Sequence, residues 1–357
     1  MPTAQKGLPQ DQGRPERRRG VRFEAVGVTD IGRQRRHNED FVLLRPELDL
    51  FVVADGMGGH NAGDVASKLA TASLRNFYEA TQDGSMPDTA LGDGYADLSE
   101  DAKRLAAAIR KANRDVFEIS STYRQHHGMG STVVACYLVR DNAVMHVGHV
   151  GDSRCYRYRS GTLEQLTHDH SLINDALAMK PDLTPEELAR LPKNIITRAL
   201  GMREEVKVDI RSEHVQPGDI FLLCSDGLSG MVSEEDIGRV LGLVAMEDGA
   251  DLRDACESLV SLANEAGGND NITALLVRID EPDEDDEQSA EPEGTVTHHD
   301  DTPLVETGGI ARMNTAEMEA VVSESPSTMT CPVCAAVIDR QNAFCTECGS
   351  QLDGSAE

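Results

Sequence analysis

Between Phe23 and Asp280 the chain alternates short apolar runs with longer stretches in which apolar residues recur every three or four positions. The short runs predict strands at Phe23–Val28, Phe41–Leu44, Leu50–Ala54, Thr132–Val139, Ala143–Val150, Arg154–Tyr158, Lys207–Arg211, Asp219–Cys224 and Ile272–Arg278. Runs of this length, bounded by turn formers, suit buried strands. Helices are predicted over Ala62–Tyr78, Asp101–Ile119, Glu234–Leu241 and Ala250–Ala266. In the second of these, Leu105, Ala108, Ile109, Ala112, Val116 and Ile119 mark one buried face. Many strands with few intervening helices predict an α+β fold, antiparallel sheets with helices packed outside, rather than a doubly wound one.

The pattern fails in four places. Residues 1–21 read as a disordered tail in which Arg17–Arg19 form a solvated basic run. From Asp169 to Arg203 short helical pieces are broken by Pro181, Pro185 and Pro192. Residues 281–330 open with the like-charge block Glu281–Glu287 and read as an acidic disordered linker, because such blocks repel and do not fold. Residues 331–352 form a separate small module. Residues 22–280 are left as the main domain.

Composition narrows the function. At 39% hydrophobic residues the chain can bury a sizeable core, dominated by aliphatic packing because Trp is absent. A net charge of −28 argues against nucleic-acid binding and against an anionic membrane surface. The N-terminus lacks the apolar core of a signal peptide, and no apolar run approaches the roughly 20 residues a bilayer span needs. The expectation is a soluble, cytoplasmic protein. Cys136, Cys155, Cys224 and Cys256 are scattered through apolar or helical stretches, as expected of thiols in a reducing compartment.

The chemistry lies in short acidic motifs that follow apolar runs. Asp55 follows Leu50–Ala54, Asp152 follows Val147–Gly151, and Asp226 follows Phe221–Ser225; Asn38-Glu39-Asp40 and Asp270-Asn271 echo them. Asp-Gly is also an ordinary turn signal. A carboxylate at the end of a buried strand is costly unless paired or bound to a cation. Several on one rim would suit a hard divalent ion such as Mg²⁺ or Mn²⁺.

Thr29-Asp30-Ile31-Gly32 with Arg35 and Asn38-Glu39-Asp40, then Val53-Ala54-Asp55-Gly56-Met57-Gly58-Gly59, open a longer series of motifs. Gly130-Ser131-Thr132, Val150–Arg154, Leu166–Ser171, Thr197–Gly201, Cys224–Leu228 and Asn269–Thr273 continue it. In this order the motifs resemble those of the PPM-type metal-dependent phosphatases, the type 2C serine/threonine protein phosphatases, in their bacterial form. The resemblance implies an αββα sandwich of two antiparallel sheets flanked by helices. It implies two Mn²⁺ or Mg²⁺ ions, with a looser third position, at one edge. The implied reaction is hydrolysis of phosphoserine and phosphothreonine on proteins, by attack of a metal-bridging water or hydroxide. In that scheme Asp55 bridges the two ions, the Gly56 carbonyl completes one, and Asp226 and Asp270 bind the second. Glu39 holds metal-bound water, Asp40 supports it, and Asp152 with Asp226 matches the third position. Arg35 would clamp the phosphate, with Arg33 and Arg36 as competitors. Residues 169–203 match the family's flap.

One position departs from the eukaryotic pattern: Met57 stands where those members carry a His thought to protonate the leaving alcohol. His60 is a candidate substitute, ranked below a metal-bound water. The competing reading is a non-catalytic phosphoprotein-binding pseudophosphatase; the intact set Asp55, Asp226 and Asp270 favours the enzyme. A Ser/Thr kinase is a partner implied by the family alone. In the linker Thr302, Thr307 and Thr315 are candidate phosphosites.

Cys331-Pro332-Val333-Cys334 and, ten residues on, Cys345-Thr346-Glu347-Cys348 have the spacing of one structural tetrahedral Zn²⁺ site. Some 20 residues cannot build a core, so metal must supply the folding free energy. The segment resembles the small zinc ribbons appended to bacterial proteins. With Arg340 as its only basic residue, it is better suited to docking on protein than on nucleic acid.

Overall fold

The structure is a computed structural model, and it describes residues 20–59, 62–86, 91, 93–188, 190–192, 195–246, 250–281, 294–299, 328–330 and 337–339. The strands of the main domain are β1 (Arg22–Asp30), β2 (Asp40–Arg45), β3 (Leu50–Met57), β4 (Gly130–Ser131), β5 (Val133–Val139), β6 (Val144–Val150), β7 (Arg154–Arg159), β8 (Thr162–Gln165), β9 (Asp209–His214), β10 (Ile220–Cys224) and β11 (Ile272–Asp280). Three more lie beyond it: β12 (Gly294–His299), β13 (Thr328–Thr330) and β14 (Val337–Asp339). The helices are α1 (Ala62–Ala80), α2 (Glu100–Thr122), α3 (Leu172–Met179), α4 (Pro185–Leu188), α5 (Asp226–Ser229), α6 (Glu234–Met246) and α7 (Leu252–Glu265).

The strands make two six-stranded sheets, one ordered β12-β1-β11-β10-β7-β8, the other β2-β3-β5-β6-β9 with β4 paired to β3. Every pairing in them is antiparallel except β1 with β12. Period-two alternation builds the layers. In β10, Phe221 and Leu223 face the other sheet, while Ile220 and Leu222 face α6 and α7. In β3, Phe51 and Val53 face the inter-sheet core, while Leu50 and Val52 pack with α1 and α2. Phe23 and Phe51 meet edge-to-face across the sheets at 5.1 Å between ring centroids. Helices therefore cover both outer faces, and the α+β sandwich is the observed architecture. Its far edge is tied by ion pairs between sheets: Arg157 to Glu213 at 2.6 Å, and Arg211 to Glu164 at 2.6 Å.

Local sequence fixes the helix ends. The Ser99 hydroxyl caps α2 by accepting from Ala102 N at 3.2 Å, and Asp251 caps α7 by accepting from Arg253 N at 2.7 Å. Cys136, Cys155, Cys224 and Cys256 are buried free thiols. Among the described residues no helix is long and apolar enough to cross a membrane.

β4, β13 and β14 are short strands absent from the sequence expectation, and three longer strands also differ from it. β8 is the polar return arm of a hairpin whose turn, Ser160-Gly161, holds both residues at positive φ. β9 lies at Asp209–His214, two to three residues beyond the predicted Lys207–Arg211. β12 falls inside the segment 281–330 expected to be an unstructured linker: Gly294–His299 pairs parallel to β1 in the register Ala25↔Gly294 to Asp30↔His299. Its physical reason is the alternating Thr295-Val296-Thr297, which sets Val296 against the inter-sheet core and supplies β1 with a partner on its open edge. β13 (Thr328–Thr330) lies at the end of the same segment. The tail 1–19 and linker residues 282–293 and 300–327 lie outside the described residues, among them Thr302, Thr307 and Thr315.

Candidate active site

The acidic motifs converge because their strands end at one rim. β2 starts at Asp40 and pairs in register with β3, setting Asp40 opposite Asp55. β10 ends just before Ser225-Asp226, β11 starts just after Asp270-Asn271, and β6 ends just before Gly151-Asp152. Glycines let the backbones touch there. A Cβ on Gly56 would stand 1.9 Å from Gly63 O, and one on Gly227 would stand 1.9 Å from Asn271 O. No side chain fits either place.

Asp40 is buried. Its Oδ2 accepts from Ser225 Oγ at 2.7 Å and from Thr273 Oγ1 at 2.6 Å, and the Thr273 hydroxyl also meets Thr29 Oγ1 at 2.8 Å. Its Oδ1 is buried with no hydrogen-bond partner, and the same is true of Asp152 Oδ1 and Asp226 Oδ1. Orphaned buried acceptors are rare because each forfeits its solvation.

The electrostatics agree. Burial, opposed by the two hydroxyl donors and reinforced by Asp226 and Asp270, pushes the Asp40 carboxyl up to about 7. Burial and then Asp226 push Asp152 up to about 7. Asp55 is raised well above the ordinary range by burial and by Asp40, Asp226, Asp270 and Asp152. Burial and Asp270 raise Asp226. Burial also raises Glu39, against the pull of Arg35. Without a cation these groups cannot all be ionised cheaply. A donor set of carboxylate oxygens with unfilled lone pairs fits Mn²⁺ or Mg²⁺.

Arg35, of the three neighbouring arginines, reaches this cluster: its Nη2 lies 2.6 Å from Asp270 Oδ2. The loop carrying it is held by Asn271, whose Oδ1 accepts from Glu39 N at 2.8 Å. Asn271 Nδ2 donates to Ile31 O and His37 O at 3.0 Å each. Sequence reasoning quoted Ser225, Thr273 and Asn271 inside motifs without giving them a role. Hydroxyls and amides carry no pattern that distinguishes a buried donor from a turn residue. Met57 ends β3 opposite Gly130. His60 lies outside the described residues, as do Cys331, Cys334, Cys345 and Cys348.

Known proteins resemble this chain in sequence and fold. The family profile described as Protein phosphatase 2C matches residues 32–276. A serine/threonine phosphatase named stp from Listeria monocytogenes serotype 4b (strain F2365) is 37% identical over 256 residues, covering 71% of this chain and 94% of its own. The crystal structure of the Mycobacterium tuberculosis serine/threonine phosphatase PstP/Ppp superposes with a TM-score of 0.59 at 32% identity, covering 73% of this chain and 99% of that one. A structure of the PstP catalytic domain in complex with two manganese ions gives 0.59 at 31% identity, covering 73% and 100%. The chain belongs to the protein phosphatase 2C family. By that membership it is a metal-dependent serine/threonine protein phosphatase.

Proposed function

We propose that the rim formed by Asp40, Asp55, Asp152, Asp226 and Asp270 is the phosphatase's two-metal centre, with Glu39 and Arg35 completing it. The observation that carries this reading is the trio of buried, partnerless carboxylate oxygens on Asp40, Asp152 and Asp226. Asp55, the Gly56 carbonyl, Asp226 and Asp270 would hold the two principal ions, and Asp152 with Asp226 a looser third. When bound, such ions neutralise phosphoryl charge and activate a water for in-line attack.

The chain's own residues do the rest. Ser225 and Thr273 hold the Asp40 carboxylate in one orientation by donating to Oδ2. Asn271 fixes the loop that presents Glu39 and Arg35. The Arg35 guanidinium, half exposed, can leave Asp270 to bind two phosphoryl oxygens at once. The Met57 thioether has no proton to transfer, so the leaving alcohol is protonated by water. The substrates are phosphorylated proteins, and the enzyme that loads them is a Ser/Thr kinase.

The C-terminal residues Cys331, Cys334, Cys345 and Cys348 would hold one structural Zn²⁺ in a ribbon that docks on protein. Supporting this, β13 and β14, which flank Cys331 and Cys334 in the sequence, pair antiparallel with Thr330 opposite Val337. Removing residues 282–357 should leave hydrolysis of a small phosphate ester within about twofold and abolish the binding of one Zn²⁺ per chain, read by elemental analysis.

The direct test is release of phosphate from para-nitrophenyl phosphate and a phosphothreonine peptide, with EDTA, Mg²⁺ or Mn²⁺. Wild type should turn over only with metal. Asp226→Asn should fall to background yet melt at the same or a higher temperature in EDTA, because one repelling charge is gone. Full activity in that variant would sink the assignment.

A further inference from the structure

The proposed chemistry makes no use of β12, yet the direction of that strand bears on how a substrate reaches the rim. β12 pairs parallel to β1, from Ala25↔Gly294 to Asp30↔His299, on the side of β1 away from β11. On its other side β1 pairs with β11, which sets Asp30 opposite Ile272, two residues after Asp270. With strands about 4.8 Å apart, the β12 backbone ends at His299 about 10 Å from Ile272. Its Gly294 end lies about 17 Å further back along the sheet. β1 itself runs on into the rim, where a Cβ on Gly32 would stand 2.1 Å from Asp270 O. A strand on this edge therefore points its C-terminal end at the loop that carries Arg35.

The edge also has a place for one apolar side chain. Gly27 lies opposite Val296 in the register. A Cβ on Gly27 would stand 3.0 Å from Val42 Cγ1 and 3.7 Å from Val296 Cγ2. Because β1 has no side chain there, Val296 packs on the inter-sheet core across the gap. On the outer face Arg253 of α7 reaches the Thr297 hydroxyl. Beyond the end of β1, Arg33, Arg35 and Arg36 are all exposed, and of these only Arg35 has an ion-pair partner among the described residues. A strand ladder, one apolar niche and a cationic end fit an extended segment with an apolar residue followed by anionic ones. β12 has that pattern: Thr295-Val296-Thr297 is followed in the sequence by Asp300-Asp301. An extended segment leading up to a phosphorylated residue has it too. Three to five further residues cover about 10–17 Å, enough to bring a phosphoryl group from the strand's end to Arg35.

We propose that the outer edge of β1 is the docking strand for the phosphoprotein substrate: the segment N-terminal to the phosphorylated residue adds to β1 in parallel, and β12 holds the same place in cis as its competitor. This rests on the rim being the catalytic centre. Backbone hydrogen bonds give an added strand its affinity, and the niche at Gly27 gives it selectivity. Polarity follows from the register. Only residues C-terminal to the docked strand are carried to the rim; a phosphorylated residue preceding it is left at the far end of β1. Joined to β11 through residues 281–293, β12 competes at the roughly millimolar effective concentration of a short tether.

Two peptides of one composition test the polarity. One carries Thr-Val-Thr with phosphothreonine about four residues after it, and the other carries the phosphothreonine about four residues before it. Both are assayed with Mn²⁺ on the full-length chain, wild type and Val296→Asp, in which β12 is released. In Val296→Asp the first peptide should have a KM about tenfold below the second, the least that burying one valine is worth, with kcat alike. Replacing the peptide's Val by Asp should abolish the difference. In wild type the tethered β12 should shrink it to within about twofold. Val296→Gly, which weakens β12 without adding a charge, should fall between. Para-nitrophenyl phosphate has no strand to dock and should be hydrolysed alike by all three chains. Equal KM for the two peptides in Val296→Asp overturns the proposal. So does an equal preference in wild type and Val296→Asp, which would put docking elsewhere. Docking is also read without turnover: in EDTA an excess of unphosphorylated Thr-Val-Thr peptide should slow amide exchange over residues 22–30 of Val296→Asp, and no slowing overturns the proposal. If that slowing is seen while no chain releases phosphate with any metal, the catalytic reading of the rim fails and the docking edge stands.

Discussion

At the residue scale, Asp40 shows how this site is held before any ion arrives. Its carboxylate is buried, and two hydroxyls donate to one oxygen while the other faces the acidic cluster. Ser225 does more than donate: its Oγ also accepts from Thr273 N at 3.1 Å. Ser225→Ala therefore leaves Asp40 short of a donor and a buried backbone N–H without an acceptor. The expected cost is about 1–3 kcal/mol by urea denaturation, the range for a buried group left unsatisfied. In an Asp40→Asn background the same change should cost less, and a full, additive loss would show that Ser225 acts independently of Asp40. Asp55, Asp152 and Asp226 were legible in the sequence because each follows an apolar run, and a charge at that place demands a reason; Asp40 and Asp270 were legible only as members of the motif series. Ser225, Thr273 and Asn271 were not, since a hydroxyl or amide beside a turn looks the same whether it caps the turn or holds a carboxylate.

At the element scale, what was legible follows burial. β3, β5, β6, β10 and β11 are buried on both faces and read directly as apolar runs. Apart from the two- and three-residue strands β4, β13 and β14, the strands that were shifted or missed, β8, β9 and β12, lie at sheet edges. There one side of the strand meets solvent, so hydrophobic periodicity weakens. β12 is the instructive case, because its flanking acidic block overrode a six-residue strand signal. Its attachment is also modest. Val296 packs on the inter-sheet core and Arg253 reaches Thr297. Val296→Asp should detach it, since an unpaired carboxylate is costly at that place. The loss is bounded by the free energy of opening this one edge strand and does not reach global unfolding. Amide exchange along β1 should accelerate to the rate of a chain ending at Glu281, while the melting temperature moves by only a few degrees. Unchanged β1 exchange in the variant would mean that β12 does not protect that edge.

At the scale of the whole molecule, the sandwich concentrates negative charge at one rim, and the consequence can be read as pH-dependent stability. Asp40 and Asp152 move from an ordinary value of 3.8 up to about 7 in the folded chain. A raised carboxyl binds a proton more tightly when folded than when unfolded. Its contribution is fully present below about 3.8 and is lost as pH rises through about 7. His149 has the opposite sign. Burial lowers it from 6.5 to about 4, so its contribution is present above 6.5 and lost as pH falls toward 4. The two oppose each other between pH 4 and 6.5 and separate above it, where His149 is neutral in both states. In EDTA the melting temperature should therefore fall as pH rises from about 6.5 to 8, with Asp40→Asn and Asp152→Asn each flattening the slope. Saturating Mn²⁺ should reverse the slope, because the ion binds only ionised carboxylates and stabilises the fold in proportion to its occupancy. A flat or rising EDTA curve over that interval would mean that the carboxylates are not crowded in solution. The two-metal reading would then lose its electrostatic support while the family assignment stood.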